Sequence, residues 1–322
     1  MYRRIAVTGA NGFIGRHLIR TLCAAQHEVV AVVRSDGVGQ AVPDASTIRV
    51  IRDSHSTACW SDVVGGCHTV VHLIGLAHGP ARKARLAMDG FRAVNVGITE
   101  RVLAACLQAR VSRLIYVSSI KAVGEGRPEP YAETAVCAPE DAYGVSKREA
   151  EILIQDRTSG EPIEAAIVRP PVVYGPEGTG NIARLIRLVA TGLPLPTRCI
   201  EAKRSLAYVG NLVDAIRCLV EAEATAEGIF HVCDEEDPLT TRELLCETGR
   251  LMGKRVIELP VPVPVLRGIG RLVGMGGEVD RLTRSLTAST TRLKEEFGWE
   301  APYARDEGLT QTIQWCLGHT RS

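Results

Sequence analysis

Six runs rich in β-branched apolar residues recur along the first 175 residues, with helical patterns between most of them, and nothing else restricts the fold as much. They are RIAVTGA (4–10), EVVAVVR (28–34), STIRVIRD (46–53), HTVVHLIG (68–75), RLIYVSS (113–119) and IEAAIVRPPVVYG (163–175). Continuous apolar strands separated by helices must be buried on both faces, so the pattern predicts an α/β fold with a doubly wound parallel sheet. The longest helical stretch runs from about 86 to 110, and another covers about 210 to 222. A further strand, GIFHVCD (228–234), is placed to return to the same sheet. After residue 176 the alternation fails, and prolines and glycines crowd GLPLP (192–196) and LPVPVP (259–264). That change marks a first domain over 1–176 and a smaller second one made mainly from 177–322.

Composition narrows the function by exclusion. The chain has 322 residues, 45% hydrophobic and 23% charged, with a formal net charge of +1. Such balance argues against a nucleic-acid surface and against a general attraction to anionic membranes. The apolar stretch LPVPVPVLRGIGRLVGM (259–275) is interrupted by three prolines and two arginines and is too short to span a bilayer. It reads as a helix packed on the second domain, with a weak interfacial contact as the alternative and no membrane insertion. No signal peptide opens the chain, and a cytoplasmic protein is expected. The ten cysteines are scattered singly with no cysteine–histidine cluster at ligand spacing, so buried free thiols and no metal are expected.

Ligands of doubly wound sheets bind beyond the carboxyl ends of the strands. The first strand leads there into TGANGFIGRHLI, with Gly9, Gly12 and Gly15 before a helix. The first glycine suits a tight turn, the second a close backbone approach to a pyrophosphate, and the third close helix packing. Dinucleotide binding follows. Farther on, AYGVSK (142–147) places Tyr143 and Lys147 four residues apart, on one face of a helix.

The G-x-x-G-x-x-G spacing with this Tyr/Lys pair resembles the extended short-chain dehydrogenase/reductase family of nucleotide-sugar epimerases, dehydratases and keto-reductases. Supporting segments are HLIG (72–75), Asn95 in AVNVGITERVL, YVSS (116–119), RPPVVYGP (169–176), RSLAYVGNLVDAI (204–216) and FGWEAP (297–302). The branch it looks most like holds bacterial UDP-sugar enzymes of O-antigen and surface-polysaccharide synthesis. The resemblance implies a Rossmann domain with a C-terminal α/β substrate domain, a homodimer and a nucleotide-sugar substrate, a UDP-sugar foremost. It implies cofactor contacts from Gly9, Asn11, Gly12, Phe13, Ile14 and Gly15, from Leu73 and Ile74, and from Asn95, Tyr143, Lys147 and Pro170. The catalytic set it implies is Ser119, Tyr143 and Lys147, with Ser118, Ser119, Tyr143, Asn181 and Arg204 on the substrate. Tyr143 would be the acid/base, its phenol lowered by the Lys147 ammonium and the positive nicotinamide.

Departures from the family pattern refine this. The 4,6-dehydratases carry adjacent Asp and Glu after the serine, where this chain has Ile120 and Lys121, so dehydration is not expected. Val123 and Val172 replace residues that are polar in some branches. NAD-selective relatives end the second strand on an acid that binds the ribose diol. Here it ends on Val33 and Arg34, and the arginine suits a 2′-phosphate. NADP(H) is therefore expected to serve at least as well as NAD(H), with Asp53 near the adenine. An exchanging NADPH leans toward reduction of a UDP-4-keto-6-deoxy-N-acetylhexosamine. The alternatives are a UDP-sugar 4-epimerase with tightly held NAD and a non-catalytic NAD(P)-sensing module.

Overall fold

Burial on both faces gives the apolar runs their length. In β5 (Arg113–Val117), Ile115 and Val117 enter one core while Leu114 and Tyr116 enter the other. The alternation repeats in β1 (Arg4–Thr8), with Ile5 and Val7 opposite Ala6, and in β2 (Glu28–Val33). The computed structural model describes residues 2–34, 44–52, 54, 56–77, 88–127, 129–234 and 237–318. The remaining strands are β3 (Thr47–Val50), β4 (Thr69–His72), β6 (Glu164–Arg169), β7 (Val172–Tyr174), β8 (Leu206–Tyr208) and β9 (Gly228–His231).

Seven of these make one parallel sheet in the order β3-β2-β1-β4-β5-β6-β9. The chain steps outward from β1 on one side and from β4 on the other, so the crevice lies between these two strands. Thr8 and His72, their last residues, are in register there. The helices are α1 (Phe13–Ala24), α2 (Thr57–Val64), α3 (Met88–Arg92), α4 (Thr99–Gln108), α5 (Ala142–Thr158) and α6 (Asn181–Ala190). After them come α7 (Val209–Glu221), α8 (Thr241–Leu251), α9 (Val263–Leu272), α10 (Gly276–Thr283), α11 (Thr291–Phe297) and α12 (Arg305–Gly318). One face of the sheet is covered by α1 and α7, where Leu18, Ile19 and Leu22 meet Leu212, Ile216 and Leu219. The other is covered by α2, α4 and α5, through Trp60, Val102, Leu103 and Ile154.

Three expectations change in detail. The run 163–175 is two strands, because Pro170 and Pro171 lack the N–H groups a ladder needs. The second of them, β7, leaves the main sheet and pairs with β8. The long helix near 86–110 is interrupted by a π turn at Ala93–Ile98 that carries Asn95. All ten cysteines are free, but Cys199 and Cys246 are exposed rather than buried. No described helix is long and apolar enough to cross a membrane.

Candidate active site

The glycine turn closes as its spacing requires. Gly9 adopts φ +67°, and the Gly12 amide donates to the Gly9 carbonyl at 2.9 Å. A Cβ on Gly15 would lie 2.4 Å from the Gly9 oxygen and 2.6 Å from that of Ala10, so only glycine lets α1 start this close. No side-chain cap serves α1 at Gly12, and no acid stands in its first turn. Its leading amides are thus suited to an anion, which fits the pyrophosphate of a dinucleotide. Asn11 is exposed beside this turn, and Ile14 and Phe13 are half-buried, the latter with its ring at His17 (5.6 Å between centroids). Leu73 and Ile74 follow β4 across the crevice, where the Leu73 amide donates to the Thr8 hydroxyl at 3.2 Å. Pro170 is buried at the end of β6. Arg34 is exposed at the end of β2. Asp53 lies outside the described residues.

Tyr143 stands in the first turn of α5, which Asp141 caps by accepting from the Gly144 amide at 2.7 Å. Ser119, two residues past β5, caps the short 3-10 turn Ile120–Ala122 and is hydrogen-bonded to Tyr143. Burial pushes the phenol up to about 12, while the Ser119 hydrogen bond pulls it down and Asp141 adds to the rise. The chain's own groups therefore hold the phenol above its ordinary value, because desolvation of the phenolate outweighs the Ser119 hydrogen bond.

Lys147 is nearly fully buried, and its ammonium donates to the Tyr116 hydroxyl at 3.1 Å and the Val117 carbonyl at 2.9 Å. It also sits over the Tyr116 ring, 4.6 Å from the centroid. Gly75 leaves room for it, since a Cβ there would lie 2.9 Å from Nζ. Burial lowers this ammonium to about 8, against the raising influence of Glu151. The unfolded chain keeps that proton to about pH 10.4. Below about pH 8 both states are charged and the cost is carried in full; as pH rises toward 10.4 the unfolded state alone holds the proton. The stability of the wild type relative to Lys147→Met is thus expected to rise between these limits. Paired thermal unfolding at pH 7, 8, 9 and 10 measures it, and a flat or falling difference would refute the assignment.

Behind the lysine lies a buried polar set. The His72 ring is hydrogen-bonded to Thr8 at 2.7 Å and Thr99 at 3.1 Å, and burial with the Lys147 charge lowers it to about 3. Asn95 is fully buried in the π turn, where it accepts from the Leu76 amide at 2.6 Å and donates to Ser146 at 2.8 Å. It ties the loop after β4 to α5. The Ser118 hydroxyl donates to Glu151 at 2.6 Å, and Glu151 is itself held by Arg169 through two bonds of 2.8 and 2.6 Å.

Ser119, Tyr143, Asn181 and Arg204 converge on one cavity of about 380 Å³. Arg204 is held by the carbonyls of Arg281 and Arg284, and burial followed by the nearby Arg281 charge lowers it to about 10. Arg281 and Arg284 line the same cavity, and an isolated bridge pairs Arg204 with Leu286 beside them. Near Ser119, Lys121 pairs with Asp141 at 2.5 Å and Glu125 at 2.8 Å, and all three line the cavity. None of these five wall residues was foreseen as binding. The only signal was the arginine pair three apart in DRLTRSL. Lys203, by contrast, pairs with Asp237 on the surface.

A model of the NAD dependent epimerase/dehydratase family matches residues 5–233. The chain belongs to that family. Over 317 residues it is 33% identical to a UDP-glucose 4-epimerase of Vibrio cholerae, covering 98% of this chain and 95% of that one. It is 26% identical over 334 residues to an N-acetyl-alpha-D-glucosaminyl-diphospho-ditrans,octacis-undecaprenol 4-epimerase of Escherichia coli O157:H7, covering 100% and 97%. Among solved structures it is similar to MoeE5 in complex with UDP-glucuronic acid and NAD, with a TM-score of 0.79 and 25% identity over 98% and 99% of the two chains. It is an enzyme of the epimerase/dehydratase family.

Proposed function

We propose that this enzyme is an NAD-dependent 4-epimerase of a sugar diphosphate, a UDP-hexose foremost. The observation that carries the reading is one cavity with Ser119 and Tyr143 at one part of its wall and Arg204, Arg281 and Arg284 at another. The arginines suit a diphosphate and set the sugar toward the hydroxyl pair. The near full-length similarity to the Vibrio cholerae UDP-glucose 4-epimerase supports the same choice. The turn of Gly9, Gly12 and Gly15, with Leu73 and Ile74 opposite, would hold the cofactor. When bound, oxidised nicotinamide supplies a hydride acceptor and a positive charge near the phenol. With it bound, Tyr143 would take the proton of the sugar C4 hydroxyl and later return it to the same oxygen. Ser119 hydrogen-bonds the same oxygen, and Lys147 supports the phenolate electrostatically. Atoms balance with no net reductant.

Reduction of a 4-keto sugar with NADPH is the second reading, favoured by the exposed Arg34 at the end of β2. One assay separates the two. Purified enzyme with UDP-glucose, UDP-N-acetylglucosamine and their C4 epimers is expected to interconvert at least one pair, followed by proton NMR, with no added reductant. Stoichiometric NAD(P)H consumption on a UDP-4-keto sugar, with no interconversion of any pair, would overturn the epimerase in favour of the reductase.

A further inference from the structure

Helix α9 is amphipathic with its apolar stripe turned outward. Val265, Ile269 and Leu272 recur at helical spacing and are 49%, 51% and 88% exposed. The opposite side is used for packing on α10: Gly270 is buried, and a Cβ there would lie 2.6 Å from a Val279 methyl carbon. Beyond the helix, Val273 and Met275 are 62% and 53% exposed, and Leu282 on α10 extends the patch. Eight of the seventeen large apolar side chains exposed among the described residues fall between Ile257 and Leu282. Such concentration goes beyond the scattered surface hydrophobics of ordinary proteins.

Charge decides what this surface fits. Arg271 is exposed on α9, and neither it nor Arg281 on α10 has an acidic partner among the described residues. Arg267 is shared with Asp280 at 3.4 Å and Thr283 at 3.2 Å. A short helix with an outward apolar stripe and unneutralised guanidiniums beside it matches the interface of an anionic bilayer, where apolar side chains enter the acyl boundary and cations meet headgroup phosphates. No described helix is long and apolar enough to span. The contact is therefore peripheral.

We propose that the α9–α10 hairpin docks this protein on an anionic lipid surface. Gly277 and Arg281 line the sugar-diphosphate cavity, so docking brings its mouth to headgroup level. The proposal stands apart from the epimerase reading, because lipid binding is measured without substrate. Cosedimentation with vesicles of phosphatidylcholine, with and without phosphatidylglycerol, tests it in ~0.1 M salt, where the Debye length is about 10 Å. The wild type is expected to pellet with anionic vesicles and largely to remain in solution with neutral ones. The double variant Ile269→Asp/Leu272→Asp should fall to the vesicle-free background, and Arg271→Glu should bind several-fold less. Both are expected to keep the wild-type melting temperature and turnover of a soluble nucleotide sugar. Wild type that ignores anionic vesicles, or a double variant that binds like wild type, would refute the proposal. So would self-association in sedimentation equilibrium that the double variant loses, since a second copy would then cover the patch.

Discussion

Tyr143→Phe is expected to lower kcat about 10²- to 10⁴-fold, the usual contribution of a positioned acid/base. The phenol is the group bonded to Ser119, and its hydroxyl is the only part the substitution removes. The ring contact with Phe91, 6.3 Å between centroids, is left in place. Loss of one hydrogen bond changes stability by only about 0.5–1.5 kcal/mol. KM for the sugar diphosphate should move little, because the arginines that suit the phosphates are elsewhere on the cavity wall. Steady-state kinetics beside thermal unfolding separates the two effects. Turnover within a few-fold of wild type would remove Tyr143 from the chemistry.

Arg169→Met should instead act on stability. Arg169 and Glu151 are both fully buried, and the guanidinium grips both carboxylate oxygens. Removing one partner leaves a charge without its counter-ion in the interior, which costs about 3–5 kcal/mol. Arg148 at 3.1 Å and the Ser118 hydroxyl offset a part of that, so the lower end is expected. The double variant Arg169→Met/Glu151→Leu should recover most of the loss, since apolar pairs of similar volume replace such bridges well. Urea denaturation of the wild type and the two variants measures it. Equal destabilisation by the single and double variants would mean that packing volume, not the unpaired charge, dominates.

What was legible in the sequence follows from how local each constraint is. The glycine turn is written into seven consecutive positions, because the contacts that demand Gly12 and Gly15 involve backbone atoms of Gly9 and Ala10. Tyr143 and Lys147 share a helix turn, so their placement needed only periodicity. The direction of the phenol shift depends on burial by distant elements, and spacing says nothing of that. Ser118 and Ser119 are adjacent, and alternation in an extended strand end sends them to opposite sides. Which side met Glu151 depended on α5 and β6. The arginine wall was least visible. Arg281 and Arg284 reach the cavity through bridges from segments some 80 residues apart, and no repeat or motif marks such pairing.

The pairing of β9 with β6 has a consequence for how the protein is made. Leu18, Ile19 and Leu22 on α1 lie against Leu212, Ile216 and Leu219 on α7, and β9 then closes the edge of β6. Translation at about 5–20 residues per second would leave that face of α1 uncovered for roughly 10–40 s while the intervening chain is synthesised. During that interval the nascent chain presents an apolar helix face and, once β6 has formed, an open strand edge, both of which chaperones or neighbouring nascent chains can engage. The stretches on either side of residue 176 thus form a single unit of biosynthesis.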